Sequence, residues 1–268
     1  MTDPGPAAAS SQSPEELALD PEVLARELAA ELSGDPLDEL TDQGEAGLDA
    51  AAECDQGLLL LQGSHDQQLQ GLRIFCEHRD PRSVPHLLGL LHAACPIKRM
   101  SAVYALGRNP SPLAVEPLLQ LLQNDSNGYV RKAVAWSLGN YPDAPVLNPL
   151  MRALQLDIAA VRLWASSSLA DAGSTSAAKA DPAAAQLLLS LRIDSESVVR
   201  SNSIWGLGRL HPLLMSLRQE EVVSAILHAM VHDGDPGVRD EARVALEQLE
   251  DPDVLERVQT LVEEGLLV

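Results

Sequence analysis

The sequence predicts an all-α fold, a solenoid of stacked antiparallel helix pairs. Three observations predict it. Five segments read alike: Lys98–Gly107, Val130–Gly139, Val161–Ala170, Val199–Gly208 and Val238–Glu247. Each carries an Arg near its start, at 99, 131, 162, 200 and 239, so the spacing is 32, 31, 38 and 39 residues. A period in this range marks one supersecondary unit repeated along the chain. Each segment also follows a second apolar stretch of helical length: Val84–Leu91, Val115–Leu122, Val146–Leu154, Ala184–Leu191 and Val222–Met230. Composition agrees, because 46% of residues are hydrophobic but only 3% aromatic. Ala and Leu fill that gap, and both favour helix over strand.

The elements follow in chain order. Residues 1–63 read as an acidic N-terminal extension and 64–268 as the repeat body. Residues 1–56 hold 15 acidic side chains against a single Arg26, whereas 57–268 hold 24 acids and 18 bases. Met1–Ser13 is rich in Pro, Ala and Ser and is expected to be disordered. Ser13 as N-cap and Pro14 at the first helical position predict a helix to Leu32. A second helix is expected from Glu45 to Leu61. Leu69–Cys76 is a weaker copy of the repeated segment, and Val254–Val262 reads as a closing helix. Pro85, Pro117 and Pro149 recur every 32 residues near the start of the first helix of a pair, where Pro is tolerated. Asp171–Pro182 is small and polar, and reads as a loop insertion.

Asp125, Asp194 and Asp233 each precede a repeat Arg by six residues, and Asp157 precedes Arg162 by five. An Asp in the turn between paired helices can accept from free backbone N–H groups. It can also pair with an Arg of its own or a neighbouring repeat. This pattern is structural rather than catalytic.

Charge and cysteine content exclude several classes. The formal charge is −20, which disfavours phosphate backbones and anionic lipid as partners. No apolar run approaches membrane-spanning length, and the N-terminus lacks the features of a signal peptide. Three cysteines without paired spacing point to a reducing cytoplasm rather than a disulfide framework. Cys-x-x-Cys, Gly-x-Ser-x-Gly, Walker and dinucleotide motifs are missing from the sequence. Metal candidates are weak. His228 and His232, followed by Asp233 and Asp235, read as exposed helix-end residues. Cys76, His78 and His86 could meet at one end of a helix pair, but His92 and Cys95 fall at its other end. Cys54 stands alone in the acidic part, and buried thiols are expected for Cys76 and Cys95. No metal and no required cofactor is expected.

A helical wheel places a candidate binding surface. With Val130 at zero, Val130, Ala133, Val134, Ser137 and Leu138 share a core face. Ala135, Trp136 and Gly139 fall opposite. Equivalent positions are Val103 and Tyr104, Ser166 and Ser167, Ile204 and Trp205, and Arg243 and Val244. Second helices of successive pairs line the concave wall of a solenoid. Tyr104, Trp136 and Trp205 therefore form an outward aromatic stripe, with Arg108, Asn140 and Arg209, beside Asp171, one turn on. Such a stripe suits a protein or a flat anionic ligand. The competing reading makes these rings core, the commoner fate of aromatics at helical spacing. Trp164 falls beside the core face and reads as structural.

The Val-Arg…Ala-Leu-Gly pattern, carried by Tyr104–Arg108 and Val130–Gly139, resembles HEAT repeats. Within these it is similar to the phycobilisome-lyase HEAT-like type found in cyanobacteria, over roughly residues 66–250. That resemblance implies a HEAT-like α-solenoid and two functions. One is a non-catalytic interaction scaffold or chaperone-like helper. Its partner would be an antenna subunit, a second lyase subunit or an iron–sulfur carrier. The other is a component of an E/F-type phycobilin lyase, which attaches a linear tetrapyrrole to an antenna-protein cysteine. A phycobilin would then be a carried ligand, with Arg side chains matching its propionates.

Overall fold

The computed structural model describes residues 47–263. The disordered segment expected over 1–13 and the helix expected over 14–32 lie outside the described residues. Every described residue belongs to one compact unit, 45–268, and the following concerns it alone.

Among the described residues there are thirteen α-helices and no strand. First helices of the pairs are α1 (Gly47–Leu60), α3 (Val84–Leu90), α5 (Pro112–Asn124), α7 (Leu147–Leu156), α9 (Ala177–Ile193) and α11 (Ser216–His232). Second helices are α2 (His65–Glu77), α4 (Pro96–Arg108), α6 (Gly128–Leu138), α8 (Ala159–Gly173), α10 (Ser197–Leu210) and α12 (Pro236–Gln248). Helix α13 (Pro252–Glu263) closes the series. The expected solenoid of helix pairs is the observed architecture.

Two boundaries differ from expectation. The extension was expected to run to residue 63, but α1 packs on α2 as the first helix of a pair. A Cβ at Gly57 would come within 2.9 Å of the Phe75 ring, and one at Gly71 within 3.0 Å of the Gly57 carbonyl oxygen. Cys54 and Leu61 are buried at this crossing. Glu53 and Asp55 are on the exposed face of α1. There Glu53 meets His78 at 2.7 Å and Asp55 meets Arg82 at 2.9 Å.

The expected loop over Asp171–Pro182 is also largely helical. Asp171–Gly173 end α8, and Ala177–Pro182 open α9, leaving Ser174–Ser176 as the link. Ala and Lys favour helix strongly enough to override the polar look of the segment. Pro182 sits at the sixth position of α9, as Pro117 does in α5. The longer repeat spacing therefore reflects longer helices, 17 residues each in α9 and α11 against 10 in α7.

Capping explains several boundaries. Ser64 and Gln67 form a reciprocal capping box at α2, and Asn127 and Asp235 accept from the first N–H groups of α6 and α12. Each such cap satisfies donors that a helix start leaves orphaned. The core is aliphatic: Leu72, Leu87, Leu106, Leu118, Leu138, Leu150, Leu169 and Leu187 are fully buried, with Phe75.

The two rows of helices pack differently. Second helices lie directly against their successors, α2 on α4 through to α10 on α12, while successive first helices touch far less. Small side chains allow this close approach. Ala102, Ala105, Ala133, Ala135, Ala165, Ser137, Ser166, Ser168 and Ser203 are all buried along the second row. The splayed first row leaves open clefts between its helices, of 690 Å³ between α9 and α11 and 590 Å³ between α5 and α7.

Candidate docking surface

Four Arg–Asp pairs bind one second helix to the next pair. Arg99 donates from Nε and Nη2 to Asp125 at 2.7 and 2.9 Å. Arg131 does so to Asp157 at 2.7 and 2.6 Å, Arg162 to Asp194 at 2.7 and 2.7 Å, and Arg200 to Asp233 at 2.7 and 2.7 Å. The third donor, Nη1, returns to a carbonyl in the Arg's own turn, at 2.8 Å for Arg131 to Asp125 and 3.0 Å for Arg200 to Asp194. Each Asp also caps its own turn, as where Asn127 N–H donates to Asp125 at 2.9 Å. Both options open in the sequence are used, with the carboxylate serving the neighbouring repeat and the carbonyl the Arg's own. Burial would raise Asp125, but hydrogen bonds from Arg99 and the Asn127 N–H outweigh it and hold this carboxyl below the usual range. For Asp233 the hydrogen bond from Arg200 is the largest influence, in the same downward direction. The ladder fixes the register of the wall.

That register is constant. A Cβ at Gly107 would meet Ser137 at 3.1 Å, at Gly139 it would meet Ser168 at 2.9 Å, and at Gly208 it would meet Ala245 at 4.0 Å. In each case a residue eight past the ladder Arg faces one six past the next. Five past the Arg, every repeat presents an outward side chain: Tyr104, Trp136, Ser167, Trp205 and Val244. Tyr104 and Trp136 are half-buried, with ring centroids 5.2 Å apart and planes tilted by 60°. Trp205 is 38% exposed, so a wholly core role does not hold for that ring.

The outward sector is narrower than the wheel indicated. Val103, Ala135, Ser166 and Ile204, all expected to face out, are fully buried. A wheel treats a helix as having one buried side, whereas each of these helices is flanked by two others as well as by its own partner. Trp164, expected to be structural, is half-buried. It lies two residues past its ladder Arg, three before Ser167 on the same second helix. All three tryptophans lie on the wall of second helices, on α6, α8 and α10.

The polar residues one turn on separate. Arg108 is half-buried and Asn140 exposed. Arg209 lies 3.1 Å from Asp171 and 5.5 Å from the Trp205 ring centroid, and its Nε reaches the Ser174 hydroxyl at 3.4 Å. Burial pushes the Asp171 carboxyl above its ordinary range, and Arg209 opposes the shift. The stripe residues therefore form two groups, Tyr104 with Trp136 and Trp205 with Arg209, rather than one continuous site. Sequence reasoning missed Asn202. Its amide donates to Leu163 O, Ser166 Oγ and Ser167 Oγ at 3.0, 2.7 and 2.6 Å. Its position two past Arg200, matching Trp164, was the signal that could have found it.

No group of three or more His, Cys, Asp or Glu able to hold a metal occurs among the described residues. The His228 and His232 rings stand 4.6 Å apart, but Asp233 below them is taken by Arg200. Cys76 reaches the Ser101 carbonyl at 3.6 Å, and burial pushes its thiol up to about 12. His78 pairs with Glu53 rather than joining Cys76 and His86. The three cysteines are free thiols, and no helix among the described residues is long and apolar enough to cross a membrane.

Stacked pairs, a ladder between them and an aromatic wall define an α-solenoid repeat protein. The model of HEAT repeats matches residues 63–139 and 115–208, together more than half of the chain. The chain belongs to the HEAT-repeat family. A comparison with curated proteins gave no match. Among solved structures, it is similar to an engineered protein at 21% identity, covering 74% of this chain and 98% of that one, with a TM-score of 0.55. A designed armadillo repeat protein in complex with the peptide (KR)4 is 20% identical, covers 80% and 97%, and has a TM-score of 0.51. A chain from a structure of Kap95p bound to RanGDP is 17% identical, covers 91% and 36%, and has a TM-score of 0.56. These likenesses establish the fold.

Proposed function

We propose that this protein is a non-catalytic docking scaffold that binds an extended segment of a protein partner along the wall of second helices. One observation carries the reading: all three tryptophans of an aromatic-poor chain lie on that wall. Trp and Tyr supply large contact area at low entropic cost and dominate binding hot spots. The designed armadillo protein of similar fold holds a peptide, which supports the same class of partner. Three free thiols fit a cytoplasmic setting.

The narrower readings, a bilin-carrying lyase component or a scaffold in iron–sulfur handling, rest on the family resemblance. A bilin propionate would need a free guanidinium, and Arg209 already serves Asp171. The protein-segment reading is therefore preferred.

The test is selection from a displayed library of random dodecapeptides, followed by affinity measurement on variants. A central aromatic anchor is worth about 2 kcal/mol or more. Enriched peptides should lose at least tenfold in affinity on Trp136→Ala or Trp205→Ala, with the melting temperature kept. Peptides that bind both variants as they bind the parent would refute the reading.

A further inference from the structure

The wall near its C-terminal end carries a charge that the fold does not use. Asp240 and Glu241 open the second turn of α12. Among the described residues neither has a hydrogen-bonded or ion-paired partner, in contrast to Asp171 with Arg209 and Glu247 with Arg243 at 3.0 Å. Glu241 is half-buried, and burial raises its carboxyl above the ordinary value. A carboxylate partly removed from water with no cation beside it is unfavourable unless something supplies one.

By repeat register Glu241 takes the position that faces Trp205. Glu241 lies two residues past Arg239, as Asn202 lies two past Arg200. Trp205 lies five past Arg200, as Ser167 lies five past Arg162. Asn202 touches Ser167 at 2.6 Å, and helix α12 packs on α10 as α10 packs on α8. The Gly208–Ala245 approach keeps the same offset. The Trp205 ring, 38% exposed, takes Arg209 over one face, and that guanidinium is balanced by Asp171.

Building on the docking reading, we propose that Trp205 and Glu241 form a notch for a lysine or arginine side chain of the docked segment. The aromatic surface suits the alkyl stem and the cation. Glu241 supplies a charge-assisted hydrogen bond, and Asp240 adds to the local negative field. This fixes one end of the bound segment over α12 and so gives the wall a direction.

The experiment uses the full chain and the dodecapeptides selected above. The enriched sequences should carry Lys or Arg at one fixed position. A labelled synthetic version, read by fluorescence anisotropy, should bind Glu241→Gln and Trp205→Ala at least tenfold more weakly than the parent. Glu116→Gln, which removes the same charge from an exposed site on α5, should change affinity less than twofold. Replacing the peptide's basic residue by norleucine should reproduce the loss, with no further loss on Glu241→Gln. Peptides that depend on Trp205 but lack the basic position, or lose no more on Glu241→Gln than on Glu116→Gln, would overturn the notch and leave the docking reading intact. Peptides indifferent to both tryptophans, or no enrichment at all, would overturn both.

Discussion

Arg131→Ala probes what holds the solenoid together. The side chain makes two charge-assisted bonds to Asp157 and one to the Asp125 carbonyl. Arg131 and Asp157 are 18% and 12% exposed. Breaking a buried pair costs about 3–5 kcal/mol because one charge is left without its partner, and an exposed pair is worth about 0–1 kcal/mol. This pair lies nearer the buried limit, so the expected loss is about 3 kcal/mol. Arg239 gives an internal control at the end of the ladder. It keeps the carbonyl bond, to Asp233 at 2.8 Å, but no carboxylate meets its fork among the described residues. Arg239→Ala should cost about 1 kcal/mol, the worth of one such bond. Urea unfolding followed by circular dichroism measures both, with the main transition compared because repeat arrays can melt in steps. A double-mutant cycle of Arg131→Ala with Asp157→Ala should show coupling of about 2 kcal/mol. Equal losses for Arg131→Ala and Arg239→Ala, or coupling below about 0.5 kcal/mol, would refute a ladder that acts between repeats.

Two further outcomes follow from the same contacts. Asp125 and Asp233 are held below the usual carboxylate range, so their stabilisation is complete above the unfolded value of about 3.9 and is lost as pH falls through the lower folded values. The melting temperature should therefore hold from neutrality to the mildly acidic range and drop below it, and a ladder variant should show a shallower drop. Gly107→Ala places a Cβ 2.5 Å from the Trp136 ring, whereas Gly208→Ala meets Ala245 at 4.0 Å. Gly107→Ala should cost about 1–3 kcal/mol and shift tryptophan emission, while Gly208→Ala should gain up to about 1 kcal/mol from helix propensity; equal effects would contradict the packing.

The helix pairs were legible because their pattern is local. The Arg, the apolar spacing and the final Leu recur within one segment, so 3.6-residue periodicity alone finds them. What failed depended on neighbours. Ala177–Pro182 looks like a loop by composition, yet Pro182 continues the series of Pro117 and Pro149, a cue that the Gly-Ser-Thr cluster before it conceals. The acids of α1 looked like an extension, although Gly57 marks a close helix crossing. Tyr104 and Trp136 are half-buried and Trp205 is exposed, but the burial of Val103, Ala135 and Ile204 beside them comes from the flanking repeats, which a single wheel does not contain.

The ladder and the small residues have complementary roles, and together they account for where the rings lie. Gly107, Ser137 and Ser168 let second helices approach closely, so nothing large fits between them. Trp136 therefore has to lie outward, over the gap left by Gly107. Close packing of small residues sets how near the helices come, and it is less directional than a hydrogen-bonded ion pair. The Arg–Asp pairs supply that direction, because a bidentate fork accepts its carboxylate in one geometry. Ladder loss should thus loosen the spacing of the rings as well as lower stability, which links the structural pattern in the turns to the surface on the wall. A partner segment that contacts both Trp136 and Trp205 reads the distance across two repeats, and the ladder sets that distance.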